Sequence, residues 1–317
     1  MKLINVFDTS VGSYNLGNQI IMHSIKESLV SLFPDAFQIY LPTNEKLSKR
    51  SFQYIRQAEL SFFGGTNALT SNQNKEKYIN LNFNDVITKE INIILFGVGW
   101  WQYQNKPNLY TKIFLNKLLS KSFLHSVRDS YTLNMLKSIG ITNVVNTSCP
   151  SVWNLSESHC KSIPTKKSEN VVFTVTDYMK DPINDLNFIK ILLRSYKTIF
   201  FWPQGTGDID YLSSLNIDMN LVSILSPSLS SLDDVLRDNK IDYIGTRLHA
   251  GIRSLQFKRR TLILSVDNRA KEIYKDINLN VTERKNPNAI NEFISKEFKT
   301  EISLPYDNIQ LWKEQFI

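Results

Sequence analysis

Short, largely apolar runs recur along this chain, and between them lie segments of helical periodicity. "KLINVF" (2–7), "ELSFF" (59–63), "INIILF" (91–96) and "FLHSV" (123–127) are continuous rather than alternating. That is the pattern of strands covered on both faces. "GNQIIMHSIKESLVSLF" (17–33), with Ile21, Ile25, Leu29 and Leu32 on one stripe, reads as a helix. "LYTKIFLNKLL" (109–119) and "SYTLNMLKSIG" (130–140) read the same way. Strands alternating with helices build a parallel sheet with helices on both sides.

The alternation stops at "SESHCKSIPTKKSE" (156–169), which is polar and without period, and then restarts. Strands are predicted over 171–175, 198–202, 221–225, 242–245 and 261–266, and helices over 183–196, 230–239, 251–257, 270–276 and 288–298. A chain of 317 residues suits two domains. The expectation is an α/β protein of two Rossmann-like, doubly wound domains facing a cleft. The first spans 1–155, a linker spans 156–169, and the second spans 170–317. The tail "YDNIQLWKEQF" (306–316) is expected to return to the first domain, with Trp312 as its anchor.

Several classes are excluded at this stage. The longest apolar run, 91–101, is about half the length that spans a bilayer. Asp8 interrupts the amino terminus before a signal-peptide core forms. Two cysteines, Cys149 and Cys160, make neither a disulfide framework nor a cysteine zinc site. A cytoplasmic location follows as the expectation. The net charge of +7 favours an anionic small ligand or peripheral contact with an anionic membrane face. Nucleic acid is not expected, because the lysines are dispersed and no aromatic-plus-basic motif occurs. The one basic knot, "FKRRT" (257–261), is expected on a solvated face or a phosphate rim.

Chemistry concentrates where strands give way to helices. "DTSVGSYNLGNQ" (8–19) is a glycine-containing loop whose helix begins beside Asn18, and such a loop offers N–H groups to an anion or a hydroxyl. It is neither G-x-G-x-x-G nor a G-K-[ST] loop. "FFGGTNAL" (62–69) repeats the grammar, with Gly65, Thr66 and Asn67 after the strand. In "FGVGWW" (96–101), Trp100 and Trp101 are either core anchors or indole platforms for a sugar. "HSVRDSYT" (125–132) places Arg128 at a strand end and Asp129 as a helix cap. The arginine is either incidental there or a fork for carboxylate or phosphate. "FFWPQGTGD" (200–208) sets Gln204 and Asp208 at the mouth of another strand. In "YIGTRLHAGI" (243–252), Arg247 and His249 stand two positions apart on a segment expected to be extended. Both would then face the crevice outside the sheet's carboxyl edge. His23 and His159 receive no role.

Taken in order, "NLGNQ", "FFGG", "FGVG", "SVRDSYTLNMLKSIGI", "CPSVW", "WPQG", "DYIGTRLHAGI" and "SVDNRAKEI" resemble the polysaccharide pyruvyl transferase family over residues 8–276. The resemblance implies a GT-B-like fold. It also implies transfer of the enolpyruvyl unit of phosphoenolpyruvate (PEP) to a saccharide as a pyruvate ketal, without cofactor or metal. It places PEP against Arg128, Arg247 and His249, with His249 the candidate acid; Gln204 joins them by its position. Asn15, Asn18, Gly65, Thr66, Asn67, Trp100 and Trp101 form the expected acceptor surface. The chain departs from the family where Asn18 replaces an aspartate, Thr66 a third glycine, and "CPSV" an Asp-Pro pair. Two other readings remain: a nucleotide-sugar glycosyltransferase, with Asp267 as its ribose carboxylate, and a non-catalytic glycan binder.

Overall fold

The computed structural model describes residues 1–76, 79–89, 91–238 and 240–317. They divide into two compact units. Unit 1 comprises Met1–Ser13, Ile21–Trp153 and Leu304–Ile317, and unit 2 comprises Tyr14–Ile20 and Asn154–Ser303.

Unit 1 alternates strand and helix: β1 (Leu3–Asp8), α1 (Gly17–Leu32), β2 (Phe37–Pro42), α2 (Lys49–Gln57), β3 (Leu60–Gly64), α3 (Phe83–Thr88), β4 (Ile94–Phe96), α4 (Leu109–Leu118), β5 (His125–Val127), α5 (Ser130–Lys137) and β6 (Val144–Asn146). The first turn of α1 counts with unit 2. All strand pairs are parallel, in the order β2-β1-β3-β4, with β5-β6 as a second piece. Gly97 N–H donates to Ser126 O at 3.0 Å and Arg128 N–H to Val98 O at 3.1 Å, so β5 runs on directly beside β4. The strand order therefore reverses between β1 and β3. β2 was not expected from the sequence. It is an edge strand, with only Leu41 buried, and lacks the continuous apolar run of an inner strand.

Unit 2 holds α6 (Glu157–Lys161), β7 (Asn170–Thr174), α7 (Pro182–Ser195), β8 (Thr198–Phe201), α8 (Asp208–Ser213), β9 (Ser223–Ile224), α9 (Leu229–Leu236), β10 (Ile241–Gly245), α10 (Leu248–Gln256), β11 (Thr261–Ser265), α11 (Asn268–Ile277), β12 (Val281–Glu283) and α12 (Pro287–Ser295). Its six-stranded parallel sheet runs β12-β11-β10-β7-β8-β9. Counted from β7, that is the 3-2-1-4-5-6 order of dinucleotide-binding sheets, with the reversal between β7 and β10. The helix expected over 230–239 is α9, and Asn239 lies outside the described residues.

Two expectations are corrected by burial. The stretch 156–169 belongs to unit 2 and includes α6, capped by Ser156 Oγ and packed through Cys160. Polar composition hid this, because its anchors are distant: Arg260 Nε donates to Thr165 O, and Ser168 N–H to Asp242. Arg260 of the basic knot is likewise no surface residue. It is fully buried, donates to Asp242 at 3.2 Å and to Lys296 O at 2.9 Å, and lies 3.8 Å from the Phe293 ring centre. The carboxyl-terminal helix α13 (Tyr306–Glu314) is part of unit 1, where Trp312 is fully buried against Phe96 at 4.3 Å.

Candidate active site

In unit 1 the glycine loop after β3 and the turn after β5 meet at Arg128. Asp129 is the N-cap of α5, its Oδ1 accepting from Thr132 N–H at 2.7 Å, while Oδ2 accepts from Arg128 Nε at 3.1 Å. Capping and charge partnership thus coexist in one carboxylate. Asn67 Oδ1 accepts from Arg128 Nη1 at 2.6 Å. Nη2 is buried without a hydrogen-bond partner, a costly state for a guanidinium nitrogen. A Cβ on Gly99 would lie 2.7 Å from Nη1 and closer still to Cζ and Nη2, so the backbone lies flat against the guanidinium.

The expected acceptor residues of unit 1 separate. Asn67 is spent on Arg128. Gly65, at φ +56, exists for packing, since a Cβ there would overlap Ile21 of α1. Thr66 holds φ 61, a left-handed conformation glycine adopts freely and a β-branched residue does not. That explains physically why a glycine suits this position. Trp100 is fully buried, its indole N–H donating to Gln104 at 3.0 Å, and is no platform. Its burial follows from the β4–β5 junction, which the sequence pattern does not show. Trp101 is half-buried. Cys149, first of the "CPSV" departure, is buried, and burial pushes its thiol up from the ordinary value, which keeps it protonated.

In unit 2 the reversal point is knitted by side chains. Thr174 Oγ1 pairs with Tyr243 OH at 2.8 Å and accepts from Arg247 N–H at 3.1 Å, and Thr176 Oγ1 meets Thr246 Oγ1 at 2.7 Å. Gly245 permits this closeness, because a Cβ there would lie 2.7 Å from Thr174 N. Arg247 is the N-cap of α10, in extended conformation (φ −95, ψ 106). Asp208, at the start of α8, grips Arg247 through Nε at 3.1 Å and through Nη2. Asp177 accepts from Nη2 at 2.8 Å, and Tyr178 lies under the guanidinium at 5.0 Å. Nη1 has no hydrogen bond to a described residue. Asp208 also accepts from Gln204 N–H at 3.1 Å and Gly205 N–H at 2.8 Å, while burial pushes its carboxyl up and Arg247 opposes that.

Arg247 and His249 do not lie on one extended segment. The helix begins at Leu248, three residues earlier than expected, so His249 sits buried in its first turn. Residues two apart on a helix are rotated by about 200°. The two side chains therefore do not share a face by strand alternation. Gln204 Nε2 donates to Asn15 Oδ1 at 2.8 Å, and Leu16 N–H donates to Gln204 O at 2.9 Å. Asn15 and Asn18, expected on the first domain, thus group with unit 2. Gln204 Oε1 is buried without a partner. Asp177 and Tyr178 escaped the sequence reading; their one signal was their place directly after a strand, in "VTDY".

Asp267 caps α11 through Oδ1, accepting from Arg269 N–H at 3.0 Å, while Oδ2 accepts from Arg269 Nε at 2.8 Å. Among the described residues no group of three or more His, Cys, Asp or Glu is placed to hold a metal ion. No helix among them is long and apolar enough to cross a membrane.

Similarity to solved structures is at the level of fold. The chain is 10% identical to Methanocaldococcus jannaschii UDP-GlcNAc 2-epimerase, covering 99% of this chain and 98% of that one at a TM-score of 0.55. Against the UDP complex of S. aureus MnaA the identity is 12%, the coverage 93% and 88%, and the TM-score 0.51. The expected α/β, GT-B-like fold is the one found. No curated protein matches the sequence. The profile "Polysaccharide pyruvyl transferase" matches residues 15–268, a stretch that takes in Arg128, Gln204, Arg247 and His249, and the chain belongs to that family.

Proposed function

We propose that the protein transfers the enolpyruvyl unit of PEP to a sugar of a capsular, exopolysaccharide or cell-wall glycan, or of its lipid-linked precursor. The product is a pyruvate ketal, and phosphate is released. One observation carries this reading beyond family membership, and it is the start of α10. Helices α5, α7 and α11 begin on capping aspartates, Asp129, Asp181 and Asp267. Helix α10, like α3, α8 and α13, has no side-chain cap, and it alone of these begins on a cation, Arg247. The Nη1 of Arg247 has no hydrogen bond to a described residue, and it stands at a helix end that favours negative charge, which suits an anionic donor.

Arg128 supports the reading separately, since its buried, unpartnered Nη2 is satisfied by a carboxylate or phosphate oxygen. Each arginine, taken by itself, is of the kind that offsets negative charge on a bound carboxylate or phosphate. His249, in the first turn of α10, is the general acid that protonates C3 of PEP. Gln204 takes a different part from the one its sequence position suggested. One N–H of its Nε2 donates to Asn15, and its unpartnered Oε1 accepts, so it suits a sugar hydroxyl better than an anion.

The nucleotide-sugar reading needs a carboxylate for ribose, and Asp267 is committed to Arg269. Calorimetry with PEP, UDP and CMP tests the choice. PEP is expected to bind and the nucleotides are not, and His249→Ala is expected to abolish phosphate release while leaving PEP affinity within about threefold. Binding of UDP without binding of PEP would sink the proposal.

A further inference from the structure

We propose that Asp177 is the general base of the transfer, accepting the proton of the acceptor hydroxyl that adds to the donor. This rests on the pyruvyl-transfer reading and concerns the same strand ends of unit 2. Ketal formation moves protons both ways: one must reach C3 of PEP, and the attacking hydroxyl must lose one. His249 accounts for the first movement and nothing assigned so far accounts for the second.

Elimination leads to Asp177. Among the titratable groups at these strand ends, Asp208 is fully buried and holds Arg247 together with the backbone of residues 177, 204 and 205. Asp267 caps α11 and binds Arg269. Asp181 caps α7 and accepts from Asn184 Nδ2 at 2.8 Å. Tyr178 OH accepts from Arg269 Nη2. Asp177 alone among these four aspartates keeps a carboxylate oxygen in reserve: Oδ1 takes Arg247 Nη2 at 2.8 Å, while Oδ2 has no hydrogen bond to a described residue, and the side chain is 29% exposed.

Its placement is built rather than incidental. Asp177 follows β7 at the reversal point, and its N–H donates to Asp208 Oδ1 at 3.1 Å. The preceding Thr176 ties the loop to Thr246 beside Arg247. Gly207 leaves the space that Oδ2 occupies, since a Cβ there would come within 2.5 Å of it. A donor held at Arg247 and the first turn of α10 is therefore flanked by an oriented carboxylate with a free lone pair.

The step balances. A proton adds to C3 with the C2=C3 electron pair, the hydroxyl oxygen forms the C2–O bond, and its proton passes to Asp177 Oδ2. The bond from C2 to the phosphate oxygen then breaks with its electron pair on phosphate. A second hydroxyl closes the ketal, and its proton leaves with the phosphate. Asp177 returns its proton to solvent, from which His249 is recharged.

Asp177→Asn keeps an oxygen for Arg247 and removes the proton acceptor. Phosphate release from PEP is measured with methyl glycosides of galactose, glucose and N-acetylmannosamine, and PEP binding by calorimetry. The expected result is a kcat lower by about 100-fold or more, with PEP affinity within about threefold of wild type. Added formate is expected to restore turnover to Asp177→Ala, which a structural role would not allow. A kcat within about threefold of wild type overturns the base assignment and leaves pyruvyl transfer standing, as does a tenfold loss of PEP affinity in Asp177→Asn. A wild-type protein that neither binds PEP nor releases phosphate overturns pyruvyl transfer, and the base with it.

Discussion

Replacing Gly99 by alanine puts a methyl group into the space of the Arg128 guanidinium while leaving every charge in place. Gly99 does not have positive φ, so alanine adds no backbone strain. The new Cβ would stand 2.7 Å from Nη1 and nearer to Cζ and Nη2. Ordinary contact lies near 3.5 Å, so the guanidinium must retreat by about 1 Å. That retreat loosens the bond to Asn67 at 2.6 Å and the pair with Asp129 at 3.1 Å. A hydrogen bond to a charged group contributes about 1.5–3 kcal/mol, so Gly99→Ala is expected to lose about 2 kcal/mol in urea unfolding. Misplacing a ligand-binding group by about 1 Å costs on the order of 100-fold in turnover, and PEP affinity is expected to fall alongside it. The decisive measurement is a double-mutant cycle with Arg128→Ala. If the methyl acts only through the arginine, the double variant matches Arg128→Ala alone, with a coupling energy of about 2 kcal/mol. Additive losses, or unchanged PEP binding in Gly99→Ala, would refute the assignment of Arg128 as an anion ligand backed by glycine.

Two further outcomes are expected from buried ionisable groups. His125 is fully buried in β5, and burial, helped by Lys121 and opposed by the bond to Ser120 O, pulls it from its ordinary 6.5 to about 4. A depressed histidine contributes stability that is intact above pH 6.5 and lost as pH falls toward 4, because the unfolded chain binds the proton first. The loss is about 3 kcal/mol over that window, and urea midpoints at pH 7 and pH 4.5 should show it in wild type and not in His125→Asn. Arg260→Ala leaves Asp242 buried without its cation and should cost about 3–5 kcal/mol; a loss under about 1 kcal/mol in urea unfolding would contradict the buried-pair account.

Much of the candidate site was legible locally. Arg128, Asp129, Gln204 and Arg247 stand out as candidates because strand ends announce themselves: an apolar run stops, glycine or a capping aspartate follows, and the polar residue between them is conspicuous. Asp208 was noticed at its strand mouth, but its hold on Arg247 was not, since the two are 39 positions apart. The placement of His249 failed for a different reason. Whether a helix starts at 248 or 251 turns on one uncapped turn, and an arginine at the N-cap gives no starting signal.

The sequence by itself determined the alternation of strand and helix, the break near residue 155 and the family, because apolar period and turn chemistry act over a few residues. Strand order did not follow from it. The tertiary structure alone put β7 beside β10, and so Asp177 beside Arg247, because the partner of a parallel strand is chosen across the whole sheet. It alone sent Trp100 into the core, Arg260 under α12 and residues 14–20 to unit 2. Each of those outcomes depends on burial by, or hydrogen bonds to, residues far away in the chain, and no local pattern carries that information.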